Sequence, residues 1–265
     1  MLDRRVAPGE GMYQDASELD SFYSSRLGGI TRRLVLARIR AFWPDVTGLR
    51  IAGLGYTSPF LAVFRNEAER VLALSPAMQG AIRWPAEGPS KTCLIAEDAL
   101  PLPDQSVDRV LLVHALEHCE PRTAAMRELW RVLTPSGRLV VIVAYRGGIW
   151  ARADHTPFGH GYPFTERQIN RLLKESMFTP RAAERAIYVP PSHRGLSLWS
   201  APAWERVGRK WGLPWPGVLL VEAIKEVHGA IPVARRFRLQ RLVARPDRIQ
   251  PARSGHGNGT LSITS

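Results

Sequence analysis

The residues of this chain best suited to chemistry fall in two clusters. His114, Glu117, His118 and Glu120 directly follow an apolar run that ends at Val113. Polar side chains at the carboxyl end of a buried strand stand where open α/β sheets bind their ligands. The second cluster lies in Asp154–Phe164 (DHTPFGHGYPF), which sets His155 and His160 among glycines and prolines. That composition suits a lid or substrate loop. His118, His155 and His160 are the candidate general bases, because imidazole titrates close to neutral pH. The plainer role for each is a cap or a hydrogen-bonded turn. Asp154, His155 and His160 lack a metal-ligand spacing, and no metal is expected.

These residues need a scaffold, and the hydrophobic pattern supplies one. Short apolar runs predict strands at Arg50–Leu54, Val71–Leu74, Thr92–Ile95, Asp108–Val113, Arg138–Ala144, Ala182–Val189 and Gly217–Lys225. Helical spacing predicts helices over Leu61–Glu69, Arg122–Leu133, Glu166–Glu175 and Leu196–Trp211. Residues 18–43 read as one or two helices, broken at Gly28-Gly29. Thr134-Pro135-Ser136-Gly137 should stop a helix, and Thr165 with Gln168 has capping-box spacing. Residues 1–17 read as frayed. Alternation of strand and helix argues for a parallel, doubly wound sheet. The expected organisation is an N-terminal helical extension (1–45), a core domain (46–228) with a Trp-rich insert at about 192–216, and a basic, disordered tail (229–265).

The stretch Ala96–Val143 is the most specific. Glu97-Asp98 is followed by Leu100-Pro101-Leu102-Pro103, then Asp104-Gln105-Ser106-Val107-Asp108, His114 to His118, Glu128-x-x-Arg131-Val132-Leu133, and Pro135-Ser136-Gly137 before a strand. This order resembles the second half of a class I S-adenosylmethionine (SAM) dependent methyltransferase of the small type 11 kind. The resemblance implies an α/β, Rossmann-like, seven-stranded sheet with helices on both faces and the last strand antiparallel. It also implies SAM as cofactor and methyl transfer to an unidentified acceptor, most simply a small molecule. The alternative is a non-catalytic protein of the same fold, acting as a binding or regulatory partner.

The resemblance places the cofactor at Gly53, Gly55, Ser75, Glu97, Asp98 and His114. The family's glycine loop reads V-L-D-x-G-x-G-x-G; here Ile51 to Pro59 reads IAGLGYTSP, so one or two glycines and the acid are replaced. Pro59 also removes an amide donor. Ser75 stands where an acid usually takes both ribose hydroxyls, and a hydroxyl cannot bridge a diol as a carboxylate does. Ala96 stands at the usual adenine acid, with Glu97 and Asp98 next. His118 falls where the family often has a histidine near substrate or cofactor.

Composition narrows the rest. The chain has 265 residues, 45% apolar, and no apolar run reaches the about 18 residues that span a bilayer. No secretory leader is legible, so a cytoplasmic protein is expected. Cys93 and Cys119 form no CxxC unit and are expected to be small buried residues. The net charge is +12, and half of it lies from Lys225 onward, where eight basic residues face Glu226 and Asp247. That tail could hold RNA, an acidic membrane surface or an acidic protein partner, and Val233–Leu242 hints at an amphipathic helix. Trp199, Trp204, Trp211 and Trp215 suggest core or a partner interface, with a flat aromatic substrate or a lipid surface as the functional alternative.

Overall fold

The computed structural model describes residues 13–192, 200–211, 213 and 215–227. Seven strands form one sheet: β1 (Arg50–Gly55), β2 (Arg70–Pro76), β3 (Thr92–Ile95), β4 (Val107–Val113), β5 (Leu133–Ala144), β6 (Phe178–Ala186) and β7 (Val218–Lys225). Their order is β3-β2-β1-β4-β5-β7-β6. The pairs from β3 to β5 are parallel, and β7 runs antiparallel to both neighbours. The expected seven-stranded α/β sheet is therefore present. Its direction of winding reverses between β1 and β4, the switch point at which such sheets bind ligands.

Alternation along each strand decides which layer a residue joins. Ile51, Leu111, Val113, Val140 and Ile142 pack under α1 (Ala16–Ser24), α2 (Arg26–Phe42) and the short α3 (Ser58–Leu61). Ala52, Leu54, Val110, Leu112, Leu139 and Val141 pack on the other face with α4 (Arg122–Val132) and α5 (Glu166–Glu175). Burial on both faces explains why these strands read as nearly continuous apolar runs. The predicted capping box at Thr165 and Gln168 is present.

Several expected boundaries move, for local reasons. Asp15 caps α1 by accepting from the Ser17 N–H at 2.7 Å, so helix begins inside the stretch expected to fray. The break before α2 falls at Ser25, whose hydroxyl caps Gly28, and not at Gly28-Gly29. Gly28 is needed for close approach instead, since a Cβ there would lie 1.9 Å from the Phe22 carbonyl oxygen. The helix after β1 starts at Ser58 and passes into a 3-10 turn at Ala62–Phe64, far short of Glu69. Helix α4 stops at Val132, within a residue of expectation, but strand β5 begins at Leu133, so Thr134–Gly137 lies inside the strand across a register shift. Strand β6 begins at Phe178 and ends before Ile187, whose φ is +64°. Cys119 is buried as expected, but Cys93 is exposed on edge strand β3. In the insert, helix α6 spans Ala201–Trp211; Trp204, Trp211 and Trp215 point outward and form no core. Trp199, the start of that predicted helix, residues 1–12 and the basic tail with its predicted helix lie outside the described residues.

The Glu128-x-x-Arg131 motif has a clear structural task. Arg131 bonds both Glu128 oxygens, Asp104 and the carbonyls of Leu100 and Leu102. Glu128 in turn accepts from the Leu100 N–H at 2.8 Å. One helix turn thus pins the proline-rich loop between β3 and β4. Glu128→Ala should cost about 1–3 kcal/mol, the usual effect of stranding a charged partner and a buried amide. Urea unfolding reads this directly; a midpoint equal to wild type would mean that the loop holds itself.

Candidate functional site

The site is built on the carboxyl ends of β1 to β4. At the end of β1, Gly55 has φ +90°, and a Cβ there would stand 2.2 Å from the Val113 carbonyl oxygen. Only glycine lets β1 turn away while lying this close to β4. The same carbonyl accepts the Tyr56 N–H at 3.0 Å. Gly53 is backed by Thr57, whose Oγ1 would be 2.1 Å from a Cβ. Both glycines therefore face protein atoms.

Over these ends lies the N-terminal segment, which touches each strand exit in turn. The Tyr13 hydroxyl donates to Glu97 Oε1 beyond β3. The Ala16 N–H donates to the Gln79 carbonyl beyond β2, at 2.8 Å. Asp20 accepts from the Tyr56 hydroxyl beyond β1, at 2.8 Å. The Tyr23 hydroxyl and His114 Nε2 share a bond of 2.8 Å beyond β4. Tyr23 stacks on Tyr56 with ring centres 5.7 Å apart, and His114 lies 4.9 Å from the Phe158 ring. Burial, reinforced by Glu97, raises Tyr13 well above the ordinary phenol range, and burial does the same for Tyr23 and Tyr56.

His114 is buried with φ +51°, and burial with the nearby His118 lowers its pKa to about 3. It is a neutral imidazole at any ordinary pH. Glu117 goes the other way. Its Oε1 accepts from the Ala144 N–H at 3.1 Å, Oε2 has no partner, and burial raises its pKa to about 7. His118 is also buried, tilted against Tyr13 at 5.3 Å.

Of the residues expected here, Gly53, Gly55, Ser75, His114 and His118 are buried around the strand exits; Glu97 is half-buried and Asp98 exposed. The loop of His155 and His160 reaches the site through Gly161, which lies against His118 and Glu117, but both imidazoles bond to backbone of their own surroundings. Both are exposed, His155 bonded to the Pro191 carbonyl and His160 to that of Asp154, each at 2.8 Å. They tie down their loop. Glu120 is exposed and lies 3.5 Å from Arg122. Tyr13, Asp20, Tyr23, Tyr56 and Gln79 were not anticipated. Their partners lie far away in sequence, and only Tyr56, beside the glycine turn, carried any local signal.

The donor chemistry of the site fits SAM in kind. Gln14 Oε1, Thr57 Oγ1, Gln79 Oε1 and Glu117 Oε2 are buried oxygens without a partner. The ribose hydroxyls and the amino groups of SAM are donors that such acceptors want. One conflict stands: the Tyr13 hydroxyl already donates to Glu97. Beside the site an open groove of about 430 Å³ runs between α1, α2 and the β1–α3 turn, lined by Asp20, Tyr23, Arg32, Tyr56 and Trp84. That is within the usual size for a small-molecule site.

The raised pKa of Glu117 has a sign that can be tested. The folded state holds this proton more tightly than the unfolded chain, whose carboxyl titrates near the ordinary value of 4.5. Its contribution to stability is present below that value and is lost as pH rises to about 7. Glu117→Gln keeps an acceptor for Ala144 and removes the titration. The variant should therefore gain on wild type by a few kcal/mol between about pH 5 and about pH 8. His114 titrates in both proteins, and its opposite slope cancels in the difference. Parallel stability curves for the two proteins would rule out a protonated Glu117.

Residues 49–141 match the family profile described as a methyltransferase domain. No curated protein matches the chain in sequence. A SAM-dependent methyltransferase from Thermotoga maritima superposes with a TM-score of 0.56 at 13% identity, covering 79% of this chain and 95% of its own. A chain from the complex between the Haloferax volcanii Trm112 methyltransferase activator and a methyltransferase gives 0.56 at 17% identity, covering 82% of this chain and 99% of its own. A SAM-dependent methyltransferase from Mesorhizobium loti gives 0.52 at 19% identity, covering 77% and 100%. At these identities the structures establish the fold. With the profile match they bear out the type 11 resemblance read from Ala96–Val143.

Proposed function

We propose that this chain transfers a methyl group from SAM to an acceptor, most simply a small molecule admitted through the groove beside Tyr23 and Tyr56. The observation that carries this reading is the set of partnerless acceptor oxygens at the strand exits of a methyltransferase fold. Gln79 and Thr57 would hold donors of the cofactor, with Ser75 in place of a ribose acid and Glu97 at the adenine. Bound SAM supplies a methyl group already activated by its sulfonium, so the protein has chiefly to align and desolvate. Helix α1 and the rings of Tyr23, Tyr56 and Phe158 keep water from the switch point. Glu117 is a buried group able to hold a proton near neutral pH, and it would matter for an acceptor that must lose one. A protein partner suits this fold as well, since the Haloferax volcanii neighbour is complexed with an activator. The arginines of residues 229–265 leave nucleic acid as a further class of partner, one whose binding would weaken steeply with salt.

Calorimetric titration with SAM, and separately with S-adenosylhomocysteine, tests the reading. Micromolar binding is expected. Glu97→Ala should weaken it by about 1–3 kcal/mol, the cost of losing a charged acceptor. Tyr13→Phe should tighten it, because the competing hydroxyl is gone. Failure of both ligands to bind wild type and Tyr13→Phe, even at millimolar concentration, would return the chain to the non-catalytic alternative.

A further inference from the structure

Helix α6 rests on the molecule by a narrow stripe. Ala201, Glu205 and Gly208 are buried. Gly208 permits the contact: a Cβ there would lie 2.2 Å from Tyr188 Cγ, so bare backbone sits against that ring. A second stripe at helical spacing faces outward. Trp204, Val207 and Trp211 are 36%, 46% and 76% exposed, and Trp215 just beyond is 39% exposed. Trp211 is thus held largely in water and Trp204 in part, on one face of the helix, a pattern that marks an interaction surface.

The exposed charges described on this helix have one sign. Arg206 and Lys210 are exposed on the adjoining side of the helix. The only acid in the helix, Glu205, is turned inward, where it accepts from the Tyr188 N–H at 2.6 Å. Helix α2 lies next to it, with Arg38 of that helix 3.9 Å from Glu205. Of its five arginines, Arg38 and Arg40 are paired with Glu205 and Glu67, while Arg32 and Arg33 are exposed. Apolar and cationic stripes running side by side along one helix suit a surface that offers acyl chains and negative charge together.

We infer that α6 docks in the plane of an anionic lipid surface, with Trp204, Val207 and Trp211 entering the boundary between headgroups and acyl chains and Lys210 meeting lipid phosphate. Indole prefers that boundary because its ring is apolar and its N–H polar. Among the described residues no helix is long and apolar enough to cross a membrane, so attachment through α6 would be peripheral. RNA fits this face less well, since single strands bind where aromatic rings are interleaved with cations along a groove. The arginines of residues 229–265 would be drawn to the same lipid charge without needing any fixed structure. The inference does not depend on the methyltransferase reading.

Co-sedimentation of the full chain with phosphatidylcholine vesicles, and with vesicles also containing phosphatidylglycerol, tests it. Binding is expected to the anionic vesicles, with little to the neutral ones and a loss as salt rises. Trp211→Ser combined with Trp204→Ala should weaken it by about tenfold or more, because interfacial affinity scales with buried apolar area. Lys210→Glu should weaken it separately. Trp211 is mostly exposed, so Trp211→Ser alone should fold and serves if the double variant does not. The difference in emission between wild type and Trp211→Phe should shift to the blue on adding anionic vesicles. No binding to anionic vesicles overturns the inference. So does equal binding by the tryptophan variants, which would assign the affinity to the tail. Capture of RNA or a protein through the same tryptophans, with no lipid binding, overturns it as well.

Discussion

The carboxyl end of the sheet is organised by one close approach, Gly55 against the Val113 carbonyl. A side chain there would collide at 2.2 Å, so β1 and β4 leave the sheet together only because that position is bare. The approach directs the Tyr56 N–H to the same carbonyl and sets the Tyr56 ring where Tyr23 stacks on it. With Tyr23 placed, its hydroxyl reaches His114, and α1 lies across the four strand exits. The glycine that the resemblance gives to a cofactor thus serves first as the point on which the aromatic cover is assembled. Gly53 is enclosed in the same way, with Thr57 and Leu61 where a Cβ would stand, so both bare positions of this turn are packed by protein atoms.

The legible part of the sequence was the part whose physics is local. The apolar runs in Asp108–Val113 and Arg138–Ala144, the cap at Thr165 and the order of motifs from Ala96 to Val143 all depend on residues a few positions apart. The boundaries that moved depend on partners elsewhere. Leu133 is drawn into β5 by pairing with Val107 before the register shifts, and Phe178 is drawn into β6 by pairing with Lys225. The cover over the site was hidden for the same reason. Tyr13 and Glu97 are 84 positions apart, and Tyr23 and His114 are 91 apart. No periodicity announces such pairs. Glu117 was visible as a polar residue after a strand, but its burial and its partnerless oxygen follow from β5 and the loop at Gly161 closing over it.

His114 and Glu117 show how two titratable groups three positions apart can share a buried place without charge. Burial pushes the imidazole down and the carboxyl up, so both favour their neutral forms. Two neutral groups cost less to bury than an unpaired ion, and no counter-ion has to be supplied from the helices above. Below about pH 7 the pair therefore adds little charge to the switch point, and above it the Glu117 carboxylate adds a negative one. The arrangement also makes Glu117 responsive, because a nearby cation favours the carboxylate and so lowers its pKa.

The two surfaces with chemical character share one layer of the molecule. Gly208 of α6 lies against Tyr188, and Gly217 lies against Trp150. Trp150 donates to the Val189 carbonyl at 2.7 Å and meets Phe158 edge-on at 5.7 Å, and Phe158 lies beside His114. The link from α6 to the strand exits therefore runs from Gly208 to Tyr188, along the chain to Val189, and through Trp150 and Phe158 to His114. Interiors packed this way resist deformation, so the place of α6 relative to the switch point is fixed by the core. A surface that engages Trp211 would thus meet the protein in a set orientation, and the groove beside Tyr23 would stand at a set distance from it.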